Sequence, residues 1–203
     1  YLLATFSVDP VAAVEKNEAE FAQPNPDVQS EVSWWGTSQK ILENFPSWRT
    51  QKRYREAMEE QDRIWVVAKI RDPQRPTPHS KEFFVASAGM ASVHKDRAFE
   101  VLSDIPAWKQ LGDVVQRAQE LGSDGRKAFL HLKAYGYSAR MEMEVKVIKN
   151  SLSEKPSELH LRVTKGSFRG MLVGFRVLQA AKSRKSEILM TASYPYQKLP
   201  LPE

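Results

Sequence analysis

Met141-Glu142-Met143-Glu144-Val145-Lys146-Val147 sets apolar and charged residues in strict alternation. Successive side chains of a strand point to opposite faces, so the stretch predicts a β-strand with one buried and one solvated face. Leu159, Leu161 and Val163 repeat the pattern, as do Ile188, Met190, Ala192 and Tyr194. Turn residues separate such runs at Gly122-Ser123-Asp124-Gly125, Tyr135-Gly136, Lys155-Pro156-Ser157 and Lys182-Ser183-Arg184. The expected strands are therefore 113–121, 126–135, 138–149, 158–165, 167–179 and 186–195. Upstream, 83–93 reads as another strand. His94 to Ser103 reads as a short helix with Ala98, Phe99 and Leu102 on one face, and Asp104-Ile105-Pro106 breaks it before a further helical turn at 107–111. One strand, two short helices and six antiparallel strands predict an α+β domain over 81–203.

The chain before this domain has a different character. Asp72-Pro73-Gln74-Arg75-Pro76-Thr77-Pro78 makes 73–80 a stiff, Pro-rich linker. Residues 33–72 read as a Trp-rich helical extension ending in the short strand Ile64-Trp65-Val66-Val67-Ala68. Thr37 or Ser38 is expected to cap a helix bearing Ile41, Leu42 and Phe45, and Ser47 a second helix running to Asp62. Tyr54, Ala57, Met58 and Gln61 give that second helix one apolar stripe. Residues 1–32 hold six acids against Lys16 alone, with Pro10, Pro24 and Pro26 among them. They read as an acidic, loosely structured arm. The remainder carries 29 basic and 19 acidic residues, or +10.

Over all 203 residues, 41% hydrophobic and 27% charged content excludes wholesale disorder. The longest uncharged apolar runs, 64–68 and 170–175, fall far short of the ~20 residues of a membrane-spanning helix. The chain has no cysteine, which removes disulfides, thiolate metal sites and Cys nucleophiles. Leu2-Leu3-Ala4-Thr5-Phe6 with Val11-Ala12-Ala13 suits the end of a signal peptide, but a trimmed chain starting at Tyr1 suits it equally. Periplasmic or secreted and cytoplasmic locations are both compatible with the sequence.

Catalytic motifs are sparse. There is no H-E-x-x-H, G-x-S-x-G or G-x-x-x-x-G-K-[ST]. The histidines His79, His94, His131 and His160 have no metal-ligand spacing, so no metal and no cofactor are expected. Gly166, Gly170 and Gly174 are expected at bends or bulges of a curved sheet. Glu142 and Glu144 share the face opposite Met141 and Met143 and read as a solvated face. Residues 159–186 carry Arg162, Lys165, Arg169, Arg176, Lys182, Arg184 and Lys185 and no acid. That run predicts affinity for anionic surfaces, with peripheral membrane contact its first reading. Only Phe168 and Phe175 interleave aromatics with it, which argues against nucleic acid.

Three motifs carry a resemblance. Ala98-Phe99-Glu100-Val101-Leu102-Ser103-Asp104-Ile105-Pro106-Ala107-Trp108, Lys165-Gly166-Ser167-Phe168-Arg169-Gly170 with Phe175-Arg176-Val177, and Leu199-Pro200-Leu201-Pro202 resemble, in that order, motifs of the START-like superfamily. This superfamily (SRPBCC) includes polyketide cyclases/dehydrases and lipid-transport proteins. Ser167 stands where the family usually has an acid, and Phe175 where it often has Trp. The resemblance implies a helix-grip fold, an antiparallel sheet with two short helices after its first strand, here preceded by the helical extension. It also implies an apolar cavity for a lipid-like molecule, walled by Met141, Met143, Val145, Leu159, Leu161, Val163, Met190 and Tyr194. His131, Tyr135, Tyr137 and Arg140 are the polar groups that would orient a ligand. From sequence the same residues would equally make a filled core.

The function implied is non-catalytic binding or transport of a hydrophobic or amphipathic small molecule. The alternatives are a cyclase/dehydratase-type enzyme and an interaction module gripping a partner helix. The family's gripping helix would follow Pro202. Within the chain, the expected cover for the sheet's apolar face is the helical segment Ser47 to Asp62; the alternative is a C-terminal helix beyond Glu203, with the N-terminal helices on the outside.

Overall fold

The alternation that begins at Met141 lies in a strand of twelve residues, Tyr137–Ile148. It belongs to a computed structural model that describes residues 34–47, 51–60, 63–71, 81–134, 136–152, 154–180 and 184–196. Helices α1 (Trp34–Glu43) and α2 (Lys52–Glu60) come first, then strands β1 (Trp65–Arg71) and β2 (Lys81–Ala91). Helix α3 (Lys95–Ser103) and a 3-10 helix over Ile105–Leu111 lead to a meander of six strands. These are β3 (Val115–Leu121), β4 (Lys127–Ala134), β5 (Tyr137–Ile148), β6 (Ser157–Gly166), β7 (Leu172–Gln179) and β8 (Ser186–Tyr196).

All eight strands form one antiparallel sheet in the order β1-β2-β8-β7-β6-β5-β4-β3. The last strand therefore returns to the second, and α3 with the 3-10 helix carries the chain from one side of the sheet to the other. This is the helix-grip α+β arrangement expected from the sequence, with β1 added as an outer edge strand. Its partner across the ladder is β2, in the register Trp65↔Ala88 to Arg71↔Glu82. The Pro-rich linker and the acidic arm lie outside the described residues.

Helix α3 and the 3-10 helix cover the inner face of the sheet. Ala98, Phe99 and Ile105 are buried against Leu130, Met141, Met143, Leu159, Leu161 and Val163. His94 caps α3, its Nδ1 accepting from the Asp96 backbone N–H at 3.4 Å. The next residue, Lys95, is wholly buried, and its Nζ donates to the carbonyls of Asn150, Leu152 and Lys155 at 2.9, 2.7 and 3.0 Å. One ammonium thus satisfies three carbonyls and ties the β5–β6 connection to the start of α3.

The expected cover by the Ser47–Asp62 segment is overturned. Met58 of α2 is buried with Ala88 and Leu189, and Ile41 of α1 with Phe84 and Ala86. In β2 and β8 these partners alternate with Val85, Met190 and Ala192, so α1 and α2 lie on the outer face. The apolar inner residues from Met141 to Tyr194 point away from them. The caps differ too: α1 starts at Trp34, and Ser38 sits buried in mid-helix. The strand expected from 167 starts only at Leu172, because 167–170 forms a turn flanked by Gly166 (φ 83°) and Gly170 (φ 90°). A Cβ on Gly166 would lie 2.0 Å from the Arg140 carbonyl oxygen, so only glycine fits there.

Candidate functional site

The inner face divides into a packed half and an open half. Met141, Met143, Val145, Leu159, Leu161 and Val163 are all buried in the core under α3 and the 3-10 helix. They make a filled core, one of the two outcomes the sequence left open for them. Met190 and Tyr194 on β8 are only half-buried, as are Met171, Phe175 and Ala192 beside them. The ladder registers Phe175↔Met190, Val173↔Ala192 and Val85↔Ala192 place these residues on one continuous apolar surface. On the same face of β1 and β2, Val66, Ile70 and Phe83 are exposed.

Two aromatic pairs flank this open half. Trp108 meets Phe175 edge to face, with ring centroids 6.0 Å apart, and its Nε1 is fixed to the Leu102 carbonyl at 2.9 Å. Phe168 meets Tyr194 in the same manner at 5.7 Å. We refer to this half-buried apolar strip, bordered by the two aromatic pairs, as the trough. Trough-facing polar groups are few, chiefly Ser87 and the Tyr194 hydroxyl. Such a surface suits an apolar molecule with a small polar end.

Of the polar residues assigned to the cavity from sequence, His131 and Arg140 face away from it. His131 and Arg140 are ladder partners and alternate onto the outer face, opposite Leu130 and Met141. His131 Nε2 instead meets Ser138 Oγ at 2.9 Å. Tyr137 stands exposed at a hairpin tip, and Tyr135 lies outside the described residues. Parity along each strand, counted from Met141 for Arg140 and from Leu130 and Leu132 for His131, would have shown that both point outward.

The outer face carries different chemistry. Ser38 Oγ meets His160 Nδ1 at 3.0 Å, His160 Nε2 meets Glu158 Oε2 at 3.1 Å, and Arg176 Nε donates to Glu158 Oε1 at 2.7 Å. Burial opposes ionisation of Glu158, but the His160 hydrogen bond and the Arg176 charge outweigh it and hold the carboxyl below its ordinary value. The string has the composition of a hydrolytic triad. It does not have the access: Ser38 and His160 are wholly buried where α1 meets the sheet, so no substrate acyl group reaches Oγ. A Cβ on Gly174 would lie 2.8 Å from both Ser38 Oγ and Leu42 Cδ1, so this glycine lets the helix lie directly on the sheet. The sequence reading took Gly174 for a bend and missed the relay, because Ser38 and His160 are 122 positions apart.

The basic run does not form one patch. Arg162 pairs with Glu144 at 2.6 Å, Lys165 with Glu142 at 3.0 Å and Arg176 with Glu158 at 2.7 Å. Glu142 and Glu144 are therefore paired across the ladder and half-buried, where a solvated face was expected. Lys185 donates to the Glu59 carbonyl at 2.6 Å. Arg169 and Arg184 sit at opposite ends of the sheet, and Lys182 lies outside the described residues. A groove of about 830 Å³ opens on the outer face beside Trp34 and Trp35. Two of its cations are already engaged, Lys146 over the Trp35 ring at 5.7 Å and Arg162 over Trp34 at 5.5 Å. Among the described residues no group of three or more potential ligands could hold a metal ion, and no helix is long and apolar enough to cross a membrane.

No family model matches the chain, and no curated protein matches it in sequence. Solved structures resemble it in architecture. A START superfamily protein from Mycobacterium smegmatis is 15% identical, with 59% of this chain and 81% of that one covered at a TM-score of 0.49. The Zhui aromatase/cyclase from Streptomyces sp. R1128 is 11% identical, covering 56% and 67% at 0.46. A STAR-related lipid transfer protein from Xanthomonas axonopodis is 9% identical, covering 62% and 80% at 0.45.

Proposed function

We propose that the protein binds a hydrophobic or amphipathic small molecule, without catalysis, in the trough on the inner face of its sheet. The observation that carries this reading is the half-buried apolar surface of Met171, Phe175, Met190, Ala192 and Tyr194, continuous with the filled core. Apolar side chains left partly in water offer free energy to an apolar guest, at ~25 cal/mol per Å² covered. Two methionines among them give the surface adaptable shape.

The cyclase/dehydratase alternative needs an acid or base beside the guest. His131 and Arg140 lie on the other face, and among the described residues the trough-facing polar groups are chiefly hydroxyls, which favours binding alone. The partner-helix alternative has no comparable observation behind it.

Titration with a fluorescent polyene fatty acid tests the proposal. The probe should brighten on binding, and Met190→Glu, which sets a carboxylate in the trough, should weaken it at least ~tenfold, or about 1.4 kcal/mol. Equal affinity of both proteins, with the variant's circular dichroism unchanged, would refute the reading. Turnover of an added polyketide-type substrate would replace it with the enzymatic one.

A further inference from the structure

Three neighbouring loops meet at one end of the sheet. The β5–β6 ladder brings the β4–β5 and β6–β7 hairpin tips side by side, where the Ser167 N–H donates to the Arg140 carbonyl at 2.9 Å. The connection from the 3-10 helix to β3 joins them, with the Lys133 N–H bonded to the Val114 carbonyl at 2.8 Å. Each loop turns on glycine at positive φ: Gly112 (136°), Gly136 (83°), and Gly166 and Gly170 (83° and 90°).

What these loops expose is unusual for turns. Tyr137 is 77% exposed, Leu111 71%, Val114 50% and Phe168 48%. Turn positions ordinarily carry small polar residues. Phe168 itself adopts φ 60°, a conformation uncommon for any residue with a side chain. Around them Lys109, Lys133, Arg140 and Arg169 are exposed and have no carboxylate partner among the described residues. Asp113 is the exposed acid of these loops, and Glu142 is already paired with Lys165.

We propose that this end of the protein is a peripheral docking surface for a bilayer containing anionic phospholipid. Charge complementarity selects the partner: cations without a carboxylate partner among the described residues flank the apolar side chains, as a negative headgroup layer requires. Shape favours a bilayer over a protein. The apolar groups are spread over three loops, Leu111 and Val114 on one and Tyr137 and Phe168 on the others, whereas a stable protein interface needs about 800 Å² of close-packed surface per partner. Separate side chains insert readily among headgroups, and an interfacial tyrosine is at home there. This surface differs from the one expected from the basic run, since only Arg169 belongs to both. The Phe168–Tyr194 pair joins the docking end to the trough.

Co-sedimentation with vesicles tests the proposal on the full chain. Phosphatidylcholine vesicles with about one-third phosphatidylserine should bind the protein, and neutral vesicles should bind it far less. Raised salt should weaken the binding, because exposed charges are then screened. Arg140→Glu should cost at least ~fivefold, the effect of a single charge near an anionic surface. Leu111→Ser with Tyr137→Ser should cost as much or more. Leu152→Ser, exposed at the opposite end of the sheet, should cost nothing. Met190→Glu should lose the fatty-acid probe and keep the vesicles, which separates this proposal from the ligand reading. Failure to bind anionic vesicles would overturn it, as would equal loss in Leu152→Ser. Binding that survives loss of Leu111 and Tyr137 but not charge reversal would assign the surface to an acidic protein instead.

Discussion

The two faces of this sheet are stabilised by opposite means. On the inner face, α3 and the 3-10 helix pack chiefly by apolar contact, around Phe99 and Ile105, with Lys95 tying the start of α3 to the β5–β6 connection. On the outer face, α1 is seated by a close glycine contact and by the buried relay from Ser38 through His160 and Glu158 to Arg176. Apolar packing is non-directional and tolerates a changing occupant. A buried polar relay tolerates none, because every member left unpaired carries the full cost of desolvation. The difference fits the proposed roles: the outer face holds structure, and the open half of the inner face accepts the guest.

Breaking the relay should give the largest effect. Glu158→Ala leaves His160 and Arg176 without their carboxylate and should cost about 3–5 kcal/mol in urea unfolding. A cost below 1 kcal/mol would mean that the relay does not seat α1. Gly174→Val should come next, at about 1–3 kcal/mol, since the new side chain overlaps Leu42 and Ser38. Full recovery of Gly174→Val stability when Leu42 is also shortened to alanine would locate the strain in that contact.

Acid should erase part of the outer-face contribution. The folded carboxyl of Glu158 titrates below its unfolded value, so its stabilisation is complete above about pH 4.3 and is lost as pH falls through the folded pKa. The stability gap between the wild type and Glu158→Gln should therefore narrow below pH 4, and a gap independent of pH would contradict the assignment. The smallest effect belongs to the open inner half. Met190→Ser should change stability by about 1 kcal/mol or less while weakening the guest, and a larger destabilisation would place Met190 in the packed core.

Much of this architecture was legible in the sequence because alternation survives in isolated strands. Met141 to Val147, Leu159 to Val163 and Ile188 to Tyr194 each announce which residues face inward. Length and turn residues then fix the strand count. The position of α1 and α2 was not legible. Met58 and Ile41 show that a helix has an apolar face, but not which of two sheet faces receives it. The deciding residues, Gly174 and the alanines Ala86 and Ala88, are small, and small residues leave no periodic signal of their own. The relay was hidden for the related reason that its members gather only on folding. The division of the inner face into packed and open halves depends on where α3 ends, which no local pattern encodes.

The central claim, a guest on the open inner half and none on the outer face, is best tested through the methionine methyl groups. The chain has six methionines, and the structure distributes them usefully: Met171 and Met190 in the trough, Met141 and Met143 in the core, Met58 beneath α2, and Met90 beside it. Methyl NMR of the ¹³C-methionine protein, titrated with a medium-chain fatty acid, should move the Met171 and Met190 resonances first and furthest and leave Met58 in place. Movement of Met58 with Met171 and Met190 unperturbed would put the guest on the outer face and contradict the account.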